Sequence, residues 1–157
     1  SVEGLGFKRY VAILDGLNIV NIIKTDNDLR LIKCTGQYFP LGFSRCNKMI
    51  GSDELPTDSI DGNNIEDRRE LYLGNQEKLD ELRLEYGIFL SKVDLENDLD
   101  EFLHKELVTY LGVKDPVTYL QKAKHFHMVE LVRKISDDDC RKIFEHYNFA
   151  CLKEIVE

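Results

Sequence analysis

The chain has 157 residues, 43% hydrophobic and 32% charged, with a formal net charge of −8. That length fits one domain, or one domain with a helical extension, and the apolar fraction excludes disorder throughout. No apolar run is long enough for a transmembrane helix, and the N-terminus lacks the basic start and apolar stretch of a secretory signal.

The first six residues hold two glycines and read as a strand end and a turn. Residues 7–17 carry apolar side chains at 7, 10, 11, 13, 14 and 17, which is helical spacing. Residues 19–25 then form a β-branched run typical of a buried parallel strand, and the run ends at once in Asp26-Asn27-Asp28. A short helix is expected over 42–50 and a polar loop over 51–64. A charge-rich helix is expected over 65–86, with Leu71, Leu73, Leu79, Leu82 and Leu84 among its apolar positions. Residues 87–93 read as a second strand, and it too ends in acid at Asp94-Leu95-Glu96-Asn97-Asp98.

From there the pattern is helical. One helix spans 98–111. Asp115 and Pro116 supply an N-cap and a first-turn proline for a helix of about 16–20 residues. Ser136, with Asp139 three residues on, caps another helix over 140–146. Residues 148–156 close the chain. The order is β-α-β, a long helical insertion, β, then a helical tail, which predicts an α/β fold.

The strongest chemical feature is the pair of acidic clusters at strand ends. In Asp26-x-Asp28, alternate residues of an extended segment point the same way, so two carboxylates can share a divalent ion. Asp94-x-Glu96 repeats the arrangement. Oxygen ligands at this density suit Mg²⁺ or Mn²⁺ rather than zinc, and such ions support phosphodiester cleavage. The bland alternative is that these acids cap the helices that follow. The acidic balance argues against a protein that coats nucleic acid, yet a carboxylate cluster meets phosphate through its metal.

Lys122 and Lys124 sit in a helical run where a lysine could neutralise a phosphate, or simply face solvent. His125-x-His127 lacks the i, i+4 spacing of a helical metal pair. His104 and His146 read as surface or boundary residues. Phe7, Tyr10, Phe43, Phe89 and Phe126 read as core rather than base-stacking residues. Four cysteines stand at 34, 46, 140 and 151 with no Cys-x-x-Cys among them, as reduced cytosolic thiols would.

Residues 22–30, Ile-Ile-Lys-Thr-Asp-Asn-Asp-Leu-Arg, resemble the Asp-x-Asp motif of the Toprim domain in the overcoming-lysogenization-defect (OLD) family of nucleases. Residues 88–99 resemble that family's second acidic motif. Three further blocks, Asp115–Lys124, Met128–Val132 and Phe149–Glu154, resemble the C-terminal end of the Gabija anti-phage nucleases. The resemblance covers nearly the whole chain. It implies a Toprim-like, Rossmann-like parallel sheet, Mg²⁺ or Mn²⁺, and DNA strand cleavage. It places Asp26, Asp28 and Asp94 at metal-binding catalytic positions, Glu96 at a further metal position, and Lys124 at a catalytic lysine, with Lys122 the poorer match.

The family also carries an essential glutamate in a Val-Glu-Gly motif on its first Toprim strand. Val2-Glu3-Gly4 imitates it, but only one clear helix fits in the 22 residues between Glu3 and Asp26, where the family fold has a helix, a strand and a second helix. Glu3 is therefore left out of the expected site. No Gly-x-x-x-x-Gly-Lys-Ser/Thr occurs, so no ATP-binding loop is present.

The expectation is a partial Toprim α/β domain over 1–112, incomplete at its N-terminus, with a helical insertion at about 51–86 and a helical extension over 113–157. It would be the C-terminal part of a larger cytoplasmic ATPase-nuclease that acts on DNA, with a helicase-like partner subunit and a homo-oligomeric state. The alternative is a catalytically inactive Toprim remnant that serves assembly or partner binding. A primase- or topoisomerase-like role is a weaker third reading, since nothing identifies a catalytic tyrosine.

Overall fold

The computed structural model describes residues 7–17, 19 and 21–156. The strand end and turn expected over 1–6, and Glu3 with them, lie outside the described residues. Two compact units divide the chain, 1–93 and 94–157.

In the first unit the expected helix forms as α1 (Phe7–Gly16). The strand expected over 19–25 is shorter, β1 (Ile23–Thr25), and it pairs in parallel with β4 (Ile88–Leu90). All three residues of β4 are buried, as a continuous apolar run in a parallel sheet requires. Between these strands lies an antiparallel pair that the sequence pattern did not announce. It joins β2 (Leu29–Leu31) to β3 (Tyr38–Pro40). Gly36 gives its connection a left-handed residue at φ 76°.

The helix expected over 42–50 forms as α2 (Leu41–Ile50), and Gly51 ends it in the left-handed conformation. The polar segment that follows is a loop, yet it is pinned. The Asn47 amide donates to the Leu55 carbonyl at 2.8 Å and accepts from the Leu55 N–H at 3.0 Å, which fixes Leu55 in the core. The single helix expected over 65–86 is two, α3 (Ile65–Leu73) and α4 (Gln76–Tyr86). Gly74 and Asn75 explain the break. Both are weak helix formers, and the Asn75 side chain bonds the Leu71 carbonyl at 2.9 Å, competing with the backbone ladder. Asn64 and Asp67 form a capping box that starts α3. The core of this unit joins Ile23, Ile88 and Leu90 of the sheet to Phe43 and Cys46 of α2 and to Leu79 and Leu82 of α4.

The second unit is helical. Its first helix starts three residues earlier than expected, as α5 (Leu95–Leu111), because Asp94 caps it and accepts from the Asn97 N–H. Leu99, Leu103, Leu107 and Leu111 recur every four residues, so they fall on one stripe of α5 and bury it against Leu120, Leu131 and Phe149. This stripe places α5 with the helices after it.

The long helix expected from Pro116 is also two, α6 (Pro116–Lys122) and α7 (Lys124–Lys134), broken at Ala123 (φ −146°, ψ 64°). Alanine gives no sequence signal for a break. The corner is held from elsewhere: His127 Nδ1 lies 2.6 Å from the Tyr119 carbonyl, and the two rings stack at 3.8 Å. Ser136 caps α8 (Asp137–Glu145) as expected. A 3-10 turn over Tyr147–Phe149 and α9 (Cys151–Val156) complete the described chain. Among the described residues no helix is long and apolar enough to cross a membrane.

Asp139 ties α8 to α5. It faces the Lys142 ammonium at 2.7 Å, accepts from the Tyr110 hydroxyl at 2.6 Å and accepts from the Ser136 hydroxyl at 3.0 Å. These contacts, Lys142 first, hold its pKa down at about 2. A depressed carboxylate stabilises the fold above its unfolded value and loses that contribution as pH falls towards the folded value. Acid unfolding followed by circular dichroism should therefore show stability falling between pH 4 and about 2, and Asp139→Asn should shrink that loss. Leu107 is fully buried, and Leu107→Ala should cost about 2–5 kcal/mol in urea unfolding.

Candidate active site

The carboxyl end of β1 delivers Asp26, Asn27 and Asp28 to the edge where open α/β sheets place their sites. Asn27 is fully buried. Its N–H donates to the Val93 carbonyl at 2.9 Å, and its side-chain amide donates to the carbonyls of Arg68 at 3.0 Å and Lys92 at 3.1 Å. With the middle residue turned inward, Asp26 and Asp28 stay half-buried at the edge.

Two residues of α2 fit against this segment. The Gly42 N–H donates to the Asp28 carbonyl at 2.9 Å, and a Cβ on Gly42 would lie 2.8 Å from the Asp26 carbonyl oxygen, so only glycine allows this approach. One helical turn on, Arg45 Nη2 donates to the Asp26 carbonyl at 2.7 Å and to Asp28 Oδ2 at 2.6 Å. A positive charge thus stands against one carboxylate of the pair. Sequence reading missed Arg45, because its place is set by the packing of α2 beside the Asp-x-Asp turn, and no spacing rule links the two.

In the second unit Asp94 does what the bland reading expected: its Oδ1 accepts from the Asn97 N–H and from the Asn97 side-chain amide, both at 2.8 Å. Its other oxygen, Oδ2, accepts from Gln121 Nε2 at 2.8 Å. No spacing rule links Gln121 to Asp94, 27 residues earlier in the chain. Glu96 sits in the first turn of α5 with its side chain 0% exposed. The Lys124 ammonium stands 3.1 Å from Glu96 Oε2, and Glu96 Oε1 has no hydrogen-bond partner among the described residues. Burial raises the Glu96 pKa above the ordinary carboxylate value. Its backbone N–H and Lys124 oppose that shift, and Asp94 adds to it slightly. Lys124 opens α7, where the break at Ala123 sets it apart from Lys122, which is exposed at the end of α6.

Each unit therefore brings its own predicted residues together, Asp26 and Asp28 in the first and Asp94, Glu96 and Lys124 in the second. Among the described residues no three His, Cys, Asp or Glu side chains group as a metal site. The donors that are present are carboxylate oxygens, the chemistry that Mg²⁺ and Mn²⁺ accept, and a buried Glu96 oxygen without a hydrogen-bond partner among the described residues suits a cation.

Other side chains are structural. His127 is held by Tyr119, His146 stacks on Phe102 at 3.8 Å, and His104 pairs with Asp100. Phe43 and Phe89 are core residues, whereas Phe126, expected in the core, is 74% exposed. The break at Ala123 starts a new helix whose inward face is carried by Leu131 and Met128, which leaves Phe126 outside. The side chains of Phe7 and Tyr10 lie outside the described residues. None of the four cysteines is in a disulfide. Cys34 and Cys140 are exposed, and burial pushes the Cys46 thiol up to about 12.

A small parallel sheet with acidic residues at its carboxyl edge, followed by a helical unit, makes this an α/β protein of the class expected from the sequence. No protein-family model matches the chain. Over 166 aligned residues it is 41% identical to the endonuclease GajA of Bacillus cereus (strain VD045), a match that takes in 99% of this chain and 29% of that protein. The resemblance to the Gabija nucleases that the sequence blocks carried thus holds along nearly the full chain, and the chain spans less than a third of that relative's length.

Glu96 makes one measurable statement. A buried carboxyl with a raised pKa favours the fold while protonated and costs stability as pH climbs above its unfolded value, near 4.5. Urea midpoints measured from pH 4 upward should fall across this window in the wild type. In Glu96→Gln the fall should flatten, and the variant should be the more stable protein at neutral pH.

Proposed function

We propose that this chain is the nuclease part of an anti-phage defence protein, a Toprim-type domain that nicks or cleaves DNA with Mg²⁺ or Mn²⁺. The observation that carries this reading is the 41% identity to an endonuclease over 99% of the chain. The acidic strand-end motifs and the contact of the buried Glu96 with the exposed Lys124 give that identity a chemical meaning.

In this reading Asp26, Asp28, Asp94 and Glu96 hold the divalent ions. When bound, the ions supply Lewis acidity towards a phosphodiester and the positive charge that a chain of net charge −8 needs to meet DNA. The protein's own residues orient and balance that charge. Arg45 aims the Asp28 carboxylate through its 2.6 Å contact with Oδ2. Gln121 and the α5 cap fix Asp94. Lys124, whose ammonium stands 3.1 Å from Glu96 Oε2, would offset negative charge at the phosphodiester. The residue ranges 1–112 and 113–157 are proposed as the Toprim part and its helical extension. An ATPase domain elsewhere in the same protein, a helicase-like partner, a homo-oligomer and a cytoplasmic setting complete the proposal by resemblance to the Gabija nucleases.

One observation favours a second reading, an inactive module used for assembly. Asp28 and Asp94 already have partners, and no three-residue metal cluster occurs among the described residues. Supercoiled-plasmid nicking separates the two readings. The nuclease reading expects nicked circles with Mn²⁺ or Mg²⁺, abolished by chelation and reduced by roughly 100-fold or more in Asp26→Ala. Equal traces for the wild type and Asp26→Ala, or no nicking with either ion, would support the assembly module.

A further inference from the structure

We infer that Asn27 is the positioning residue of the Asp-x-Asp pair: its buried amide locks the turn that presents Asp26 and Asp28 onto the exit of the neighbouring strand. The inference rests on the proposed metal site for its functional consequence, but its geometry lies wholly within the first unit.

Three bonds made by Asn27 carry the argument. The parallel pairing of β1 with β4 has Thr25 opposite Leu90, and beyond that the strands no longer run as a regular ladder. After the bond from the Ser91 N–H to the Thr25 carbonyl, Asn27 carries the connection further. Its N–H reaches the Val93 carbonyl, and one amide nitrogen reaches the carbonyls of both Lys92 and Arg68. The acidic turn is thereby tied to the segment leaving β4 and to α3. Arg45 and Gly42 hold the same turn from α2, through the Asp26 carbonyl, the Asp28 carboxylate and the Asp28 carbonyl. The turn is gripped from three directions, and Asn27 is its only fully buried member. Its flanking carboxylates stay at the edge because the residue between them points in.

The chemistry explains why asparagine serves and aspartate would not. Both bonds from the side chain end on carbonyl oxygens, so the position demands a neutral donor. An aspartate of the same volume would bring a charge into a fully buried place and face two acceptors with no hydrogen to give. Its Oδ1, buried and without a hydrogen-bond partner among the described residues, adds nothing to the grip, so the donor side of the amide does the holding. Outer-shell groups that orient metal ligands typically change metal affinity by about 10–100-fold when removed, without touching the ion.

The test combines hydrogen exchange with metal titration. In the wild type the amides of Asn27 and Gly42 should exchange as slowly as those of β4. Exchange at the rate of an exposed loop would overturn the inference without any variant. Asn27→Ala removes the amide, and Asn27→Asp keeps its volume while removing the donors. Leu79→Ala, a core change in the same unit, controls for general destabilisation. Titration of the folded proteins with Mn²⁺ alone, followed by calorimetry, should show affinity down by about 10-fold or more in both Asn27 variants and unchanged in Leu79→Ala. Equal losses in all three, or unchanged Gly42 protection and Mn²⁺ affinity in the Asn27 variants, would make Asn27 merely structural and sink the inference. If the wild type binds no Mn²⁺ but Gly42 protection collapses only in the Asn27 variants, the grip on the turn stands and the metal reading falls.

Discussion

Two strands of three residues each have to hold a sheet together in the first unit, and so short a parallel ladder is a weak framework. Its hydrogen bonds therefore continue beyond the strands proper. Ile23 N–H donates to the Gly87 carbonyl at one end, Ser91 N–H donates to the Thr25 carbonyl, and Asn27 N–H donates to the Val93 carbonyl at the other end. Apolar burial supplies the rest, since both faces of β4 are covered and Phe43 and Leu55 are almost wholly enclosed. The consequence for function is direct. At the carboxyl end the residues that extend the ladder carry or adjoin the acidic motifs, so the Asp26–Asp28 turn cannot loosen without loosening that end of the sheet.

Charge is the second constraint. A chain with 29 acidic residues against 21 lysines and arginines has to keep carboxylates ionised and apart, or bury them with partners. Asp28, Asp94 and Glu96 have three different solutions. Asp28 has a guanidinium, Asp94 has amide donors and a helix N-terminus, and Glu96 has an ammonium on one oxygen only. These solutions differ in how readily a divalent ion could replace them. Asp94 is met by amide donors and the positive end of the α5 dipole, without a guanidinium or ammonium among the contacts described for it. A buried carboxylate with one cationic neighbour is the costliest arrangement of the three, because desolvation of the charge outweighs a single ion pair unless further bonds satisfy the group. Of the three, Glu96 is the one whose ionisation burial opposes, and groups with perturbed pKa values cluster at functional sites.

What the sequence could show depended on the range of the interaction. Caps are local, so Ser136 and Asp115 were legible from residues three positions apart. Buried strands were legible as apolar runs that end in acid. The antiparallel pair β2–β3 was not, because Leu29–Leu31 and Tyr38–Pro40 are too short to show alternation. Both overlong helices were misread for one reason. Apolar spacing continued across Gly74-Asn75 and across Ala123, while the breaks were set by side chains bonding back to carbonyls. At the site, the acids were legible from their spacing, but Arg45 and Gln121 were not, since each reaches its partner across 17 and 27 residues of chain.

Asp94 shows why the bland and the functional readings of an acidic residue are not rivals. Capping a helix uses one oxygen of the carboxylate and leaves its charge whole. The N–H donors that satisfy Oδ1 also fix the direction of Oδ2, and Gln121 is a neutral partner that could exchange Oδ2 for an ion without leaving a buried charge behind. Asp28 is held differently, by a cation that an arriving metal would repel. Asp28 thus faces a guanidinium and Asp94 faces neutral amide donors, and that difference follows from which side chains the helices place opposite each carboxylate rather than from the acidic spacing itself.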